Sequence, residues 1–194
     1  MYEGFWGRAY VDKKNIGRGK IHEKSISILK GLLTNILNPY ESIPVDFHLS
    51  FEQTYGIVEG DSASVAEIIC ILSALSKKGI KQNIAVTGSI NQFGEVQPIG
   101  GVNDKIEGFF KVCSILESFE GKGVLIPEAN KDEIILKSEV EEAIINGKFC
   151  VYTMNNLNDA IEALLLEEDE TIEEFYEKLQ EEVDKYKDKD KNRK

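Results

Sequence analysis

The chain has 194 residues, 42% of them hydrophobic, which is enough to bury one domain-sized core. Its 23 basic and 34 acidic residues give a net charge of −11, which argues against nucleic-acid binding because phosphates attract a positive surface. With two histidines a multi-histidine metal site is not available, and three widely spaced cysteines without a CxxC pair argue against a zinc finger and a disulfide framework. No membrane-spanning apolar run or signal-peptide pattern is present, so we expect a cytoplasmic protein.

The first part of the chain is predicted to alternate strands and helices. Residues 1–20 are rich in glycine and weakly patterned, and one short strand is predicted at 8–11. Apolar residues at helical spacing predict a helix at 22–37, and apolar alternation predicts a strand at 44–51. A second helix is predicted at 62–77. Because it is apolar around most of its circumference, we expect it in the middle of the domain.

The central part is predicted to form a β-hairpin followed by a third helix. The hairpin pairs residues 84–90 with 95–99 across a polar turn. Two glycines then end the second strand, and Asn103 is placed to cap a helix that runs to residue 116.

The last third alternates short apolar strands with helices, which indicates βα units and parallel strands. Strands are predicted at 124–126 and 149–152, and helices at 139–146 and 158–166. From residue 167 charged side chains dominate, so residues 167–194 are expected to form a charged tail, helical at first, with little to bury. The elements together predict an α/β (α+β) fold: a mixed sheet with a hairpin, C-terminal βαβ units and helices packed on the sheet.

Ser62 lies where a turn meets the start of the buried second helix, in the segment Gly-Asp-Ser-Ala-Ser. Backbone N–H groups at a helix start lack partners within the helix and can stabilise an oxyanion. The segment approximates the GxSxG elbow of α/β-hydrolases, but that family needs a histidine after the serine, and both His22 and His48 precede it. A nucleophilic Ser62 would therefore need another base. Ser64 and Glu67 have the spacing of a capping box at the same helix start.

Lys105 is the candidate base. It lies in the first turn of the third helix, in line with the apolar residues Phe109, Val112 and Leu116. Partial desolvation on such a stripe would lower the lysine pKa, and a neutral amine can take the proton of a serine hydroxyl. Most lysines in this position instead extend their charged end into water, so the spacing alone leaves both interpretations open.

Three motifs in a fixed order resemble the proteolytic domain of Lon proteases. They are GDSAS at 60–64, TGS followed by GEVQPIGG at 87–101, and GGVNDKIE at 100–107. The match is nearest to Lon-related ATP-dependent proteases that carry EGDSAS where many Lon enzymes have DGPSAG. The resemblance covers residues 21–166, whereas residues 1–20 match the usual N-terminal strand pair poorly.

The resemblance implies the Lon proteolytic-domain fold and a serine endopeptidase with a Ser–Lys dyad. Ser62 then matches the nucleophile, Lys105 the general base and Thr87 the threonine that orients the lysine. Glu59 matches an acidic position before the nucleophile, and Asp61 a variable position that is often proline. The resemblance also implies unfolded or damaged proteins and peptides as substrates, and assembly into a homo-oligomer, a hexameric ring.

The sequence leaves the wider context of this domain open. It contains no GxxxxGK[ST] motif, so no cofactor is expected in this chain, and ATP would act only through an ATPase module elsewhere. The chain is either the proteolytic part of a longer ATP-dependent protease or a stand-alone peptidase. The alternative to an enzyme is a catalytically silent Lon-like module for assembly or docking. No metal, nucleic acid or membrane is expected as a partner.

Overall fold

A computed structural model describes residues 9–11, 20–37, 46–51, 59–119 and 121–191 of the chain. A 3₁₀ helix follows the sixth strand, and none of the described helices is long and apolar enough to cross a membrane. The strands and α-helices, in chain order, are β1 (Ala9–Val11), α1 (Lys20–Leu37), β2 (Phe47–Leu49), α2 (Ser64–Ser76), β3 (Ile84–Val86), β4 (Ser89–Ile90), β5 (Val96–Gln97), α3 (Val102–Ile115), β6 (Gly123–Pro127), α4 (Ser138–Ile145), β7 (Cys150–Met154), α5 (Leu157–Leu164) and α6 (Ile172–Lys191).

Parallel strands joined by helices form the centre of the domain. The described strands β3, β6 and β7 make a parallel sheet in the order β3-β6-β7, with α3 and α4 in the connections. A second parallel pair joins β1 to β2, and β4 pairs antiparallel with β5. The structure confirms the prediction of a mixed α/β fold with a hairpin and C-terminal βαβ units.

The sheet separates two apolar clusters. In β6, Leu125 belongs to a cluster built around α2, whereas Val124 and Ile126 belong to a cluster with α3 and α4. All five residues of this strand are buried, because successive side chains of a strand point to opposite faces and both faces are covered.

Helix α2 is covered by other elements around most of its circumference, as its apolar sequence predicted, although Cys70 is exposed. It packs against α1, α5 and α6, and Val65, Ile68 and Leu72 have no solvent exposure. A helix that is apolar on every side is stable only where neighbours cover it. The start of α2, which follows Ser62, is therefore anchored in the apolar core.

The strand predicted at 84–90 is two strands in two different sheets. Ile84–Val86 pairs with β6, whereas Ser89–Ile90 pairs with Val96–Gln97, so only the second half belongs to a hairpin. The chain changes partner at Thr87 and Gly88. The same side-chain alternation continues through the break, so periodicity alone could not detect it.

The expectation that the C-terminal segment has little to bury is wrong. Helix α6 packs against α2 and α5, and Phe175, Leu179 and Val183 are each at most 3% exposed. These residues are four apart, so one apolar side chain per turn forms a stripe that faces the core. The division into 1–20, 21–166 and 167–194 remains a prediction.

Candidate active site

Ser62 lies in a tight turn that ends at the first residue of α2. Gly60 has a φ of +92°, which glycine adopts without strain, and the backbone N–H of Ser64 donates to the Asp61 carbonyl at 3.0 Å. The predicted capping box is wrong, because the N-cap is Ala63 and the helix start has no side-chain cap. The Glu67 carboxylate, which was predicted to form the capping box, contacts His22 of α1 instead.

The connection between β3 and β4 holds the Ser62 backbone in place. The backbone N–H of Gly88 donates to the Ser62 carbonyl at 2.9 Å, and the Gly88 carbonyl accepts from Val65 N–H at 3.2 Å. A side chain at position 88 would crowd its neighbours, since a Cβ there would lie 2.8 Å from Met154 Cε and 3.0 Å from Val65 Cγ2. Glycine at this position therefore allows the close approach of the two segments.

Helix α3 carries Lys105 in its first turn. The helix begins after Gly101, whose φ of +67° again suits glycine. Asn103 does not cap it, contrary to the prediction. Its side chain instead bonds the segment after β6, accepting from Ile135 N–H at 3.0 Å and donating to the Glu133 carbonyl at 3.1 Å. These contacts tie the first turn of α3 to a neighbouring loop.

Three residues from three elements meet in the site. Lys105 Nζ is hydrogen-bonded to Ser62 Oγ at 2.8 Å and donates to Thr87 Oγ1 at 3.2 Å. The Thr87 hydroxyl in turn donates to the Ser62 carbonyl at 3.2 Å. The fold thus brings together the three residues that the sequence predicts as nucleophile, base and orienting threonine.

The environment of Lys105 shifts its protonation equilibrium towards the neutral amine, although two residues of the predicted apolar stripe do not contribute to its burial. Val112 and Leu116 on that stripe are 49% and 69% exposed, and the buried face of α3 carries Ile106 and Phe110 instead. Burial lowers the pKa of Lys105 below its ordinary value, and the negative charge of Asp61 opposes this shift in part. The predicted direction and its cause, desolvation, are therefore confirmed, whereas Val112 and Leu116 are too exposed to supply the burial.

The two predicted acidic residues lie in different surroundings. Asp61 Oδ2 accepts a hydrogen bond from the buried hydroxyl of Ser89 at 2.9 Å. Glu59 is exposed and, within the described residues, makes no hydrogen bond or ion pair with Ser62 or Lys105. Ser89 was not singled out from the sequence, although it follows Thr87 and Gly88 in the TGS motif.

Two buried polar contacts behind the turn were also missed. Ser25 Oγ lies 2.7 Å from Ser64 Oγ, and His22 Nε2 lies 2.6 Å from Glu67 Oε1. Desolvation raises the pKa of Glu67. In sequence terms, polar residues at 22 and 25 interrupt the apolar spacing of α1. That signal identifies a polar contact but not its partner.

The amino-acid sequence of this chain is similar to those of known proteins. The Lon protease (S16) C-terminal proteolytic domain family matches residues 24–167. A Lon protease homolog from Escherichia coli (strain K12) is 42% identical over 155 residues, which cover 80% of this chain and 26% of that protein. One from Haemophilus influenzae is 41% identical over 173 residues, covering 87% and 29%. An archaeal Lon protease from Pyrococcus abyssi is 34% identical over 128 residues, covering 66% and 12%. The chain thus spans less than a third of each of these relatives.

Proposed function

Because the chain belongs to the Lon protease (S16) C-terminal proteolytic domain family, we propose that it is a serine endopeptidase with a Ser62–Lys105 dyad. The observation that carries the proposal is the 2.8 Å contact between Lys105 Nζ and Ser62 Oγ. A nucleophile and its base must lie within hydrogen-bond reach, and this pair does so from positions 43 residues apart.

The Thr87 hydroxyl determines how the lysine amine is oriented. Its single proton is donated to the Ser62 carbonyl, so its oxygen can only accept from Lys105. An N–H of the neutral amine therefore points at Thr87 and leaves the nitrogen lone pair for Ser62 Oγ. The 2.8 Å contact then runs in the reverse direction, from the serine O–H to the lysine nitrogen.

The reaction follows in two stages. Ser62 Oγ bonds to the carbonyl carbon of the scissile peptide while its proton moves to Lys105 Nζ, which then protonates the leaving amine as the C–N bond breaks. A water molecule next gives its proton to Lys105 and attacks the acyl carbon. The proton returns to Ser62 Oγ as the carboxylic acid product leaves.

Backbone N–H groups at the start of α2 are the proposed donors to the oxyanion. Among the described residues, those of Ser64 and Val65 already bond to carbonyls, whereas those of Ser62 and Ala63 make no hydrogen bond. An oxyanion hole needs unengaged donors held next to the nucleophile. The N–H groups of Ser62 and Ala63 meet that requirement.

The wider activity is proposed on family membership. Unfolded or damaged proteins and peptides are the proposed substrates, and a homo-oligomeric ring of six chains is the proposed assembly. The dyad itself needs no ATP for peptide hydrolysis. Any ATP requirement would come from an ATPase module outside these 194 residues, which contain no P-loop.

Peptide hydrolysis by matched pairs of variants tests the proposal. S62A and K105A should abolish casein or peptide cleavage and fluorophosphonate labelling, whereas S76A on α2 and K111A on α3 should keep both. K105R should also be inactive, because an arginine stays protonated and cannot act as a base. A folded wild-type chain that neither cleaves nor labels would support the silent-module alternative. Parental activity in K105R would disprove the role of Lys105.

A further inference from the structure

We propose that Ser25 and Ser64 form a buried hydroxyl relay that fixes the peptide plane between Asp61 and Ser62, and so aims the Ser62 N–H at the oxyanion. This inference deepens the proposed function and rests on it. Both serines are positioning residues, since neither touches the reacting atoms. Ser25 is 3% exposed and Ser64 is 1% exposed, so water does not compete for their hydroxyls.

The Asp61 carbonyl is the point at which the relay meets the nucleophile turn. It accepts from the backbone N–H of Ser64 at 3.0 Å and also from the Ser64 hydroxyl. A trans peptide group is planar, and its C=O and N–H point in opposite directions. Two donors that hold the Asp61 oxygen on one side therefore hold the Ser62 N–H on the other side.

Ser25 on α1 determines the direction of the Ser64 proton. A hydroxyl has one proton, and that of Ser64 is donated to Asp61. The 2.7 Å contact between the two hydroxyl oxygens must then be a bond from Ser25 to Ser64. Chains of hydrogen bonds in a dry interior strengthen one another, so donation from Ser25 makes Ser64 a better donor to Asp61.

The next peptide plane is held in an equivalent way from the opposite side. The Ser62 carbonyl accepts from Gly88 N–H and from the Thr87 hydroxyl, at 2.9 and 3.2 Å. Its partner N–H belongs to Ala63. Each of the two proposed oxyanion donors thus has its peptide carbonyl bonded to one backbone N–H and one hydroxyl.

A second contact keeps α1 beside α2. His22 and Ser25 are three residues apart on α1, as are Ser64 and Glu67 on α2, so the two side-chain pairs lie on facing sides of the helices. The His22–Glu67 contact of 2.6 Å is buried and holds the helices in register. The relay therefore links the position of α1 to the geometry of the oxyanion donors.

Kinetics of S25A, S64A and the double variant test the relay, with S27A on α1 and S76A on α2 as matched controls. S64A should lower kcat about 10- to 100-fold and S25A about 3- to 10-fold, both with little change in KM, because an oxyanion donor acts in the transition state. The double variant should be no slower than S64A within about twofold, since both changes break one chain of bonds.

Inhibition by a peptide boronate provides a second measurement, because a purely structural role of the two serines would leave its Ki unchanged. The boronate forms a tetrahedral adduct on Ser62, so its Ki should rise by the same factor as kcat falls. If S64A does not fold, S25A tests the relay alone, because it leaves the Ser64 bond to Asp61 in place. Wild-type kcat and boronate Ki in folded S25A and S64A would overturn the relay while leaving the dyad intact. Absence of cleavage and labelling by the wild-type chain would refute the proposed function, and the relay with it.

Discussion

Replacing Thr87 by valine tests the orientation of the base most directly. The change keeps the branched shape of a residue that is 8% exposed but removes a hydroxyl that accepts from Lys105 Nζ and donates to the Ser62 carbonyl, both at 3.2 Å. The Ser62 carbonyl keeps its bond from Gly88 N–H, and the Thr87 backbone keeps its bond to Leu125. The turn that carries Ser62 should therefore persist, while Lys105 loses the hydroxyl that orients its amine.

The expected effects on stability and on turnover differ in size. Each lost hydrogen bond contributes about 1 kcal/mol net, so T87V should lower the free energy of unfolding by about 1–2 kcal/mol. For a chain of this length that lowers the melting temperature by about 2–8 °C. Lys105 is only half-buried, so its freed N–H can bond to water and the amine can turn away from Ser62. A misdirected base should cost about 1.4–2.7 kcal/mol in the transition state, or about 10- to 100-fold in kcat.

T87S is the control that separates the two effects. Serine keeps the hydroxyl but loses a buried methyl group, which costs about 1 kcal/mol. T87S should therefore resemble T87V in melting temperature and the parent in turnover. Peptide hydrolysis and thermal unfolding should be measured on all three proteins. Turnover of T87V within twofold of the parent, or an equal loss in T87S, would refute the orienting role.

Three further changes test the electrostatics and packing of the site. D61N keeps an acceptor for the Ser89 hydroxyl but removes the negative charge that raises the pKa of Lys105. Because the base must be neutral, the acidic limb of the pH–rate profile should move to lower pH. An unchanged acidic limb would contradict this electrostatic role of Asp61. Truncation after Leu166 removes three buried apolar residues of α6, each worth about 1.5–3 kcal/mol, and should abolish cooperative thermal unfolding, in contrast to the expectation from charge alone. G88A places a methyl group 2.8 Å from Met154 Cε and should lower both melting temperature and turnover. G108A, on the exposed surface of α3 with open space around it, should keep turnover and slightly raise the melting temperature, because alanine favours a helix over glycine. A G88A protein with parental activity would show that the two segments can separate without harm.

The positions of the main helices and of the candidate dyad followed from the sequence alone. Helical periodicity depends on local spacing, so α1 and α2 could be placed within about two residues of their ends. The resemblance of the GDSAS, TGS and GGVNDKIE motifs to the Lon proteolytic domain selected Ser62, Thr87 and Lys105 as candidates. Each motif contains a turn and one candidate functional side chain close together in the sequence, so it can be recognised without the tertiary structure.

Tertiary structure decided which groups those elements contact. Glu67 has the spacing of a local cap, but it is buried, and a buried carboxylate needs a compensating partner, which His22 supplies from 45 residues away. Lys105 was expected to be desolvated along its own helix, but its hydrogen-bond partners, Ser62 and Thr87, lie 43 and 18 residues away in the chain. A sequence pattern predicts which residues are buried. Only the tertiary structure determines which polar atom bonds to each buried donor, because those partners come from distant parts of the chain.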